Sequence, residues 1–173
     1  MHAAARPYWL LLALLCLLAA ASPDRRDPTE PEQRVETFLE ETARLFGDTE
    51  ADIVRRLGQP QTRQATPFTS PHDDAPYEVI SLRYDGLAVA LYSMEGGQRQ
   101  FLHRIAVTAG PTCFARGICL GTPREQLAAS LGQPEDREAA RWRYADMSGY
   151  NELLFTFDAK GNIASMTWTA EAD

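Results

Sequence analysis

The side chains best equipped for chemistry in this chain are two histidines, two cysteines, and arginines and aromatics at strand-like spacing. His72 stands beside Asp73 and Asp74 in a proline-rich stretch. A metal site there would need at least three well-placed ligands, and a solvated loop is the simpler reading. His103 falls in a strand-like run whose alternation predicts that Phe101, His103, Ile105 and Val107 share one face. That pattern predicts a half-buried structural histidine before a catalytic base. No Gly-x-Ser-x-Gly elbow and no phosphate-cradling glycine loop occurs, so the sequence calls for no catalytic residue, metal or cofactor.

The cysteines are Cys113 and Cys119, with Cys16 confined to the first residues. An even pair in an exported chain reads as a disulfide. A redox dithiol would more naturally be Cys-x-x-Cys opening a helix, and zinc would need a second ligand pair. Free or redox thiols stay as the alternative. A bridge here would pin the turn leading into the second half of the chain.

Trp142 and Tyr144 alternate with Arg141 and Arg143, which places the two sets on opposite faces of one strand. Trp142, Phe155, Phe157 and Trp168 read as core beneath helices. The sheet face turned away from the helices would carry Arg83, Tyr92, Arg104, Arg141 and Arg143. Tyr and Arg are enriched at protein-binding hot spots, which makes these five the candidate partner-binding residues. A solvated face is the default for an antiparallel sheet. The stretch Gln61–Pro76, read as a long polar loop, is a second candidate surface.

The elements that must position these residues follow from a segment used twice. Gly47 to Pro60 returns as Gly121 to Pro134, each reading Gly, ten residues, Gly-Gln-Pro, with apolar positions in register. Each copy contains a short helix, about Thr49–Leu57 and Pro123–Leu131. Asp48 is the expected N-cap of the first. Thr122, Pro123 and Glu125 form an expected capping box for the second. An amphipathic helix over Glu32–Phe46 precedes them and ends at Gly47. Strands are predicted at Tyr77–Tyr84, Leu87–Ser93, Arg99–Thr108, Ala139–Tyr144, Glu152–Asp158 and Asn162–Thr169, with Asp85-Gly86 as a hairpin turn. The expected fold is α+β: tandem helix–β-meander repeats, about 47–108 and 121–169, forming one antiparallel sheet of about six strands with the helices on one face.

Residues 1–21 read as a cleaved secretory signal. Tyr8 to Ala21 is apolar, ends in small residues, and is shorter than the roughly 20 residues a bilayer span needs. The alternatives are a retained anchor and lipidation at Cys16, although bulky Leu15 before it and further apolar residues after it fit a lipidation box badly. Residues 22–31 read as a flexible leader, and 32–173 as one domain. The formal charge is -7, and losing Arg6 with the signal makes it more negative. Without a basic stripe, nucleic acid is excluded as a natural partner, and an anionic lipid surface fits poorly. No integral membrane segment is expected after signal cleavage, and the expected location is periplasmic or secreted.

Paired Gly-x10-Gly-x-Pro helices, each followed by a β-meander, resemble the β-lactamase inhibitor protein-like fold. The same unit occurs singly in the BamE-like (SmpA/OmlA) lipoprotein type of the outer-membrane barrel-assembly machinery. Arg116-Gly117-Ile118-Cys119-Leu120-Gly121 also looks like a stretch found in exported proteins of this kind. The resemblance covers roughly Gly47 to Trp168. It implies a non-enzymatic, exported envelope protein that binds another protein, as an accessory in envelope assembly. The alternative it implies is an inhibitor or immunity-type protein against a periplasmic or secreted enzyme, which an aromatic-acidic patch on a concave face would favour. Two repeats and no convincing lipidation cysteine depart from the barrel-assembly type.

Overall fold

The computed structural model describes residues 30–69, 76–134 and 136–170. The signal run, most of the leader and the His72-Asp73-Asp74 cluster lie outside the described residues. Helix α1 (Glu30–Phe46) buries Val35, Phe38, Leu39, Thr42 and Phe46. The spacing predicts this stripe with Leu45 added, but Leu45 is exposed, and the helix begins two residues inside the expected leader. Gly47 ends it, its N–H donating to the Ala43 carbonyl at 3.0 Å.

The two short helices close alike and open differently. Helix α2 (Glu50–Leu57) ends at Gly58 (φ 82°, ψ −172°), and α3 (Arg124–Leu131) ends at Gly132 (φ 87°, ψ −178°). Each glycine N–H reaches back to a carbonyl four residues earlier, that of Val54 or Ala128. The N-cap of α2 is Thr49, not Asp48. Its extended backbone lets Oγ1 accept the Asp52 N–H at 3.1 Å. The expected capping box of α3 does not form. Thr122 Oγ1 instead accepts the Cys119 N–H, Pro123 occupies the cap position, and the Arg124 N–H is taken by the Gly161 carbonyl. Tertiary partners supply what the capping side chains would have supplied.

The strands are β1 (Thr62–Thr69), β2 (Pro76–Tyr84), β3 (Leu87–Met94), β4 (Arg99–Val107), β5 (Asp136–Glu138), β6 (Arg141–Ala145), β7 (Asn151–Phe157) and β8 (Ile163–Ala170). Among the described residues they form one antiparallel sheet of eight, ordered β1-β2-β3-β4-β8-β7-β6-β5, in place of the expected six. The added strands are the two edges. All of β1 is exposed and it contains Pro67, while β5 is three charged residues. Edge strands held by backbone pairing need no apolar alternation, which is why neither shows in the sequence. The reading of Gln61–Pro76 as a loop is therefore corrected, since residues 62–69 pair along β2 from Thr62↔Arg83 to Thr69↔Pro76.

Registers assign the faces. On β3, Leu87, Val89 and Leu91 stand opposite Tyr84, Leu82 and Ile80 of β2 and are buried. On the far half, Trp142, Leu153, Phe155, Met166 and Trp168 continue this inner face. Helix α1 lies against α2, α3, β6 and β7 and covers it. Phe114 bridges the layers, edge-on to Phe46 of α1 and to Phe155 of β7.

Cys113 and Cys119 have their sulfurs within bonding distance, and their Cα atoms are 4.3 Å apart. The loop between them is fixed to α1. Arg116 pairs with Glu41 at 2.8 Å and lies over the Phe38 ring, and the Ala115 N–H donates to Thr42 Oγ1. Phe114 and Ile118 enter the core on either side of it.

Candidate functional site

The face turned away from the helices is built by the other half of each strand's alternation. On β3 that half is Ala88, Ala90, Tyr92 and Met94, all half-buried. Ala88 stands opposite Arg83 and Ala106, Ala90 opposite Ser81 and Arg104, and Tyr92 opposite Val79 and Phe101. Small side chains along β3, between taller neighbours on β2 and β4, leave a trough of about 600 Å³. Its lining includes Gln61, Ser81, Arg83, Ala88, Ala90, His103, Arg104, Ala106 and Thr108.

His103 reaches this trough through a β-bulge. Arg104 pairs with Ala90 and Leu102 with Leu91, so His103 is the extra residue between them. The expected sharing of a face by Phe101, His103, Ile105 and Val107 is thereby corrected. Ile105 and Val107 point into the core, while Phe101, His103 and Arg104 all belong to the outer face. The His103 ring sits 4.3 Å from the Tyr92 ring, and Nδ1 lies 2.7 Å from the Ala170 carbonyl. A carbonyl only accepts, so Nδ1 donates its N–H to it.

An aromatic row continues the outer face past His103, beyond one end of the trough. Phe68 of β1 lies 6.3 Å from Tyr77 and 6.0 Å from Tyr92, and Tyr92 lies 5.3 Å from Phe101. Phe68 is 40% exposed. Two arginines follow along the trough, Arg104 beside Ala90 at mid-length and Arg83 beside Ala88 at the far end. By strand spacing and register, the Arg83 and Arg104 Cα atoms are about 12 Å apart across the alanine floor. Both are exposed, and among the described residues neither guanidinium makes a hydrogen bond or ion pair, while the Arg83 carbonyl accepts the Gln61 N–H at 2.8 Å. Tyr84 at the trough rim donates to the Gly58 carbonyl at 3.2 Å. Burial, with the Glu50 charge nearby, raises its phenol pKa above the ordinary value.

The charge pattern of this face is one-sided. Among the described outward-facing strand residues of β1 to β4, none is Asp or Glu, in a chain with 24 acidic residues. The trough lining holds no carboxylate and no thiol, so its residues are suited to holding an anion through cationic and polar groups.

Of the five residues singled out in the sequence, Arg83, Tyr92 and Arg104 come together here. Arg141 and Arg143 lie on the same outer face but on β6, beyond β8 and β7. Each is already engaged, Arg141 with Glu138 at 3.1 Å and Arg143 with Glu152. Trp142, Phe155, Phe157 and Trp168 are buried, as core. Sequence reasoning misses Phe68, Tyr77 and the alanine floor. An aromatic inside an otherwise polar stretch is the one signal that Phe68 offered. Among the described residues no group of His, Cys, Asp and Glu is placed to hold a metal ion, and no helix is long and apolar enough to cross a membrane.

No protein-family model matches the chain, and no curated protein matches it. Among solved structures, a DUF4309 family protein, YjgB from Bacillus subtilis, is similar at 14% identity. The match covers 80% of this chain and 99% of that one, with a TM-score of 0.38.

Proposed function

We propose that this chain is an exported bacterial envelope protein that binds another protein and catalyses no reaction, presenting the outer face of β1–β4. The observation that carries the reading is the pairing of a partly exposed aromatic row with two unengaged arginines around one trough. Such aromatic and arginine side chains are the usual anchors of protein interfaces. The Cys113–Cys119 pair fits an oxidising compartment, in keeping with residues 1–21 as a cleaved signal. We read the two halves as a duplicated helix-plus-meander unit, supported by the matching glycine exits of α2 and α3 and by four strands after each. An accessory role in envelope assembly follows from the BamE-like resemblance.

The inhibitor reading ranks second, because it favours an aromatic-acidic patch and the aromatic patch on this face is basic. Lysozymes, proteases and β-lactamases assayed with excess protein test it.

The test of the main reading is retention on the immobilised domain, residues 22–173, from solubilised envelope and secreted fractions of the producing organism. The wild type is compared with Arg83→Ala/Tyr92→Ala/Arg104→Ala. The expected result is a specific protein held by the wild type and lost from the variant. Equal retention by both, or substrate turnover abolished by a point mutation that leaves the domain folded, would overturn it.

A further inference from the structure

Resting on the binding reading above, we infer that the trough takes an extended segment of the partner protein with the pattern aromatic-x-acidic-x-acidic. The register of three β3 residues sets this pattern. Tyr92, Ala90 and Ala88 are spaced by two and point to the same side. Tyr92 stands in the aromatic row, Ala90 stands opposite Arg104, and Ala88 stands opposite Arg83. From the aromatic end to the Arg83 end is four residues, about 13 Å along the strand. An extended peptide laid along β3 repeats that spacing, so its side chains at positions 1, 3 and 5 all face the sheet. Position 1 meets the aromatic row, position 3 the Arg104 guanidinium, and position 5 the Arg83 guanidinium. The alanine floor leaves room for the peptide backbone, and the absence of carboxylates among the described outward residues of β1–β4 limits repulsion of the two acids. Arg–carboxylate pairing is planar and two-pronged, which favours peptide carboxylates over a diffuse ionic surface.

The experiment titrates capped, unlabelled Trp-Ser-Glu-Ser-Glu into 15N-labelled protein, residues 22–173, and follows amide shifts. The same titration is run with Trp-Ser-Gln-Ser-Gln, with the scrambled Glu-Glu-Ser-Ser-Trp, with inorganic phosphate and with phosphatidylglycerol vesicles. The inference expects saturable shifts confined to β1–β4, weakened about tenfold by Arg83→Ala/Arg104→Ala, as the loss of two exposed charge pairs implies. It also expects weakening with added salt and clearly poorer binding of the Gln and scrambled peptides. A second variant, Ala90→Leu, raises the floor with both arginines in place and should also lose the peptide. No shifts at millimolar peptide, equal binding of the Gln peptide, or stronger binding of phosphate or vesicles would each overturn the inference. Peptide failure alongside partner retention that maps to this face leaves the binding-module reading standing. Peptide binding with no retained partner sinks that reading instead.

Discussion

Replacing both Cys113 and Cys119 with serine isolates what the bridge contributes. The sequence separation is 6, and the chain-entropy relation for so short a loop gives about 2 kcal/mol. That figure applies if the native loop keeps its place without the covalent bond, and its contacts indicate that it does. Phe114 and Ile118 stay buried, the Phe114 N–H donates to the Ile118 carbonyl at 2.8 Å, and Arg116 and Ala115 hold α1. The loss should therefore lie in the unfolded ensemble. Urea unfolding of residues 22–173, oxidised wild type against Cys113→Ser/Cys119→Ser, should show a midpoint lower by about 1 M with a closely similar slope. A loss under about 0.5 kcal/mol would refute the entropic argument for this loop. A loss above about 5 kcal/mol would show that the bond holds far more of the fold than one turn. Titration of the exported protein should find no free thiol in the pair, and two reactive thiols would revive the redox alternative.

Further outcomes follow from the same physics. Ile53→Ala removes the fully buried side chain of α2 and should cost about 2–5 kcal/mol in the same urea assay. Gly86→Ala should destabilise by more than the roughly 1 kcal/mol of an ordinary glycine exchange, because φ is +67° and the added Cβ would lie 2.5 Å from the Ala109 backbone. Asp146 in the β6–β7 turn is pushed upward by burial. Its hydrogen bonds from Asn151 and Ser148 outweigh that and hold its carboxyl below the ordinary value. A depressed folded pKa stabilises above the unfolded value, about 3.9, and the gain fades as pH falls through the folded one. The stability gap between wild type and Asp146→Asn, measured by thermal melts, should accordingly be present at pH 6 and shrink below pH 4.

Elements with a buried face are legible in this chain because burial imposes a period. The alternation Leu87, Val89, Leu91 and the stripe Val35, Phe38, Leu39, Thr42 announce β3 and α1, and glycine marks the ends of the three described α-helices. What has no buried face leaves no period. Strand β1 exists by pairing with β2, and β5 by pairing with β6, so the strand count comes out two short. The bulge at His103 is likewise silent, since one extra residue shifts which side chains share a face without altering composition. Arg83, Tyr92 and Arg104 are readable as outward residues. Their convergence depends on the two-residue offsets between β2, β3 and β4, and Arg141 and Arg143 look identical in sequence while lying three strands from Arg104 with partners of their own.

The most direct test of the binding face is a photo-crosslinking amino acid placed, one at a time, at Ala90 in the trough, at Thr167 on the outer face of the second half, and at Arg44 on exposed α1. Each full-length variant is irradiated in living cells of the producing organism. Our account predicts a discrete crosslinked partner from Ala90, abolished by Arg83→Ala/Arg104→Ala, and none from Arg44. A partner captured from Arg44 or Thr167 but not from Ala90 would contradict it.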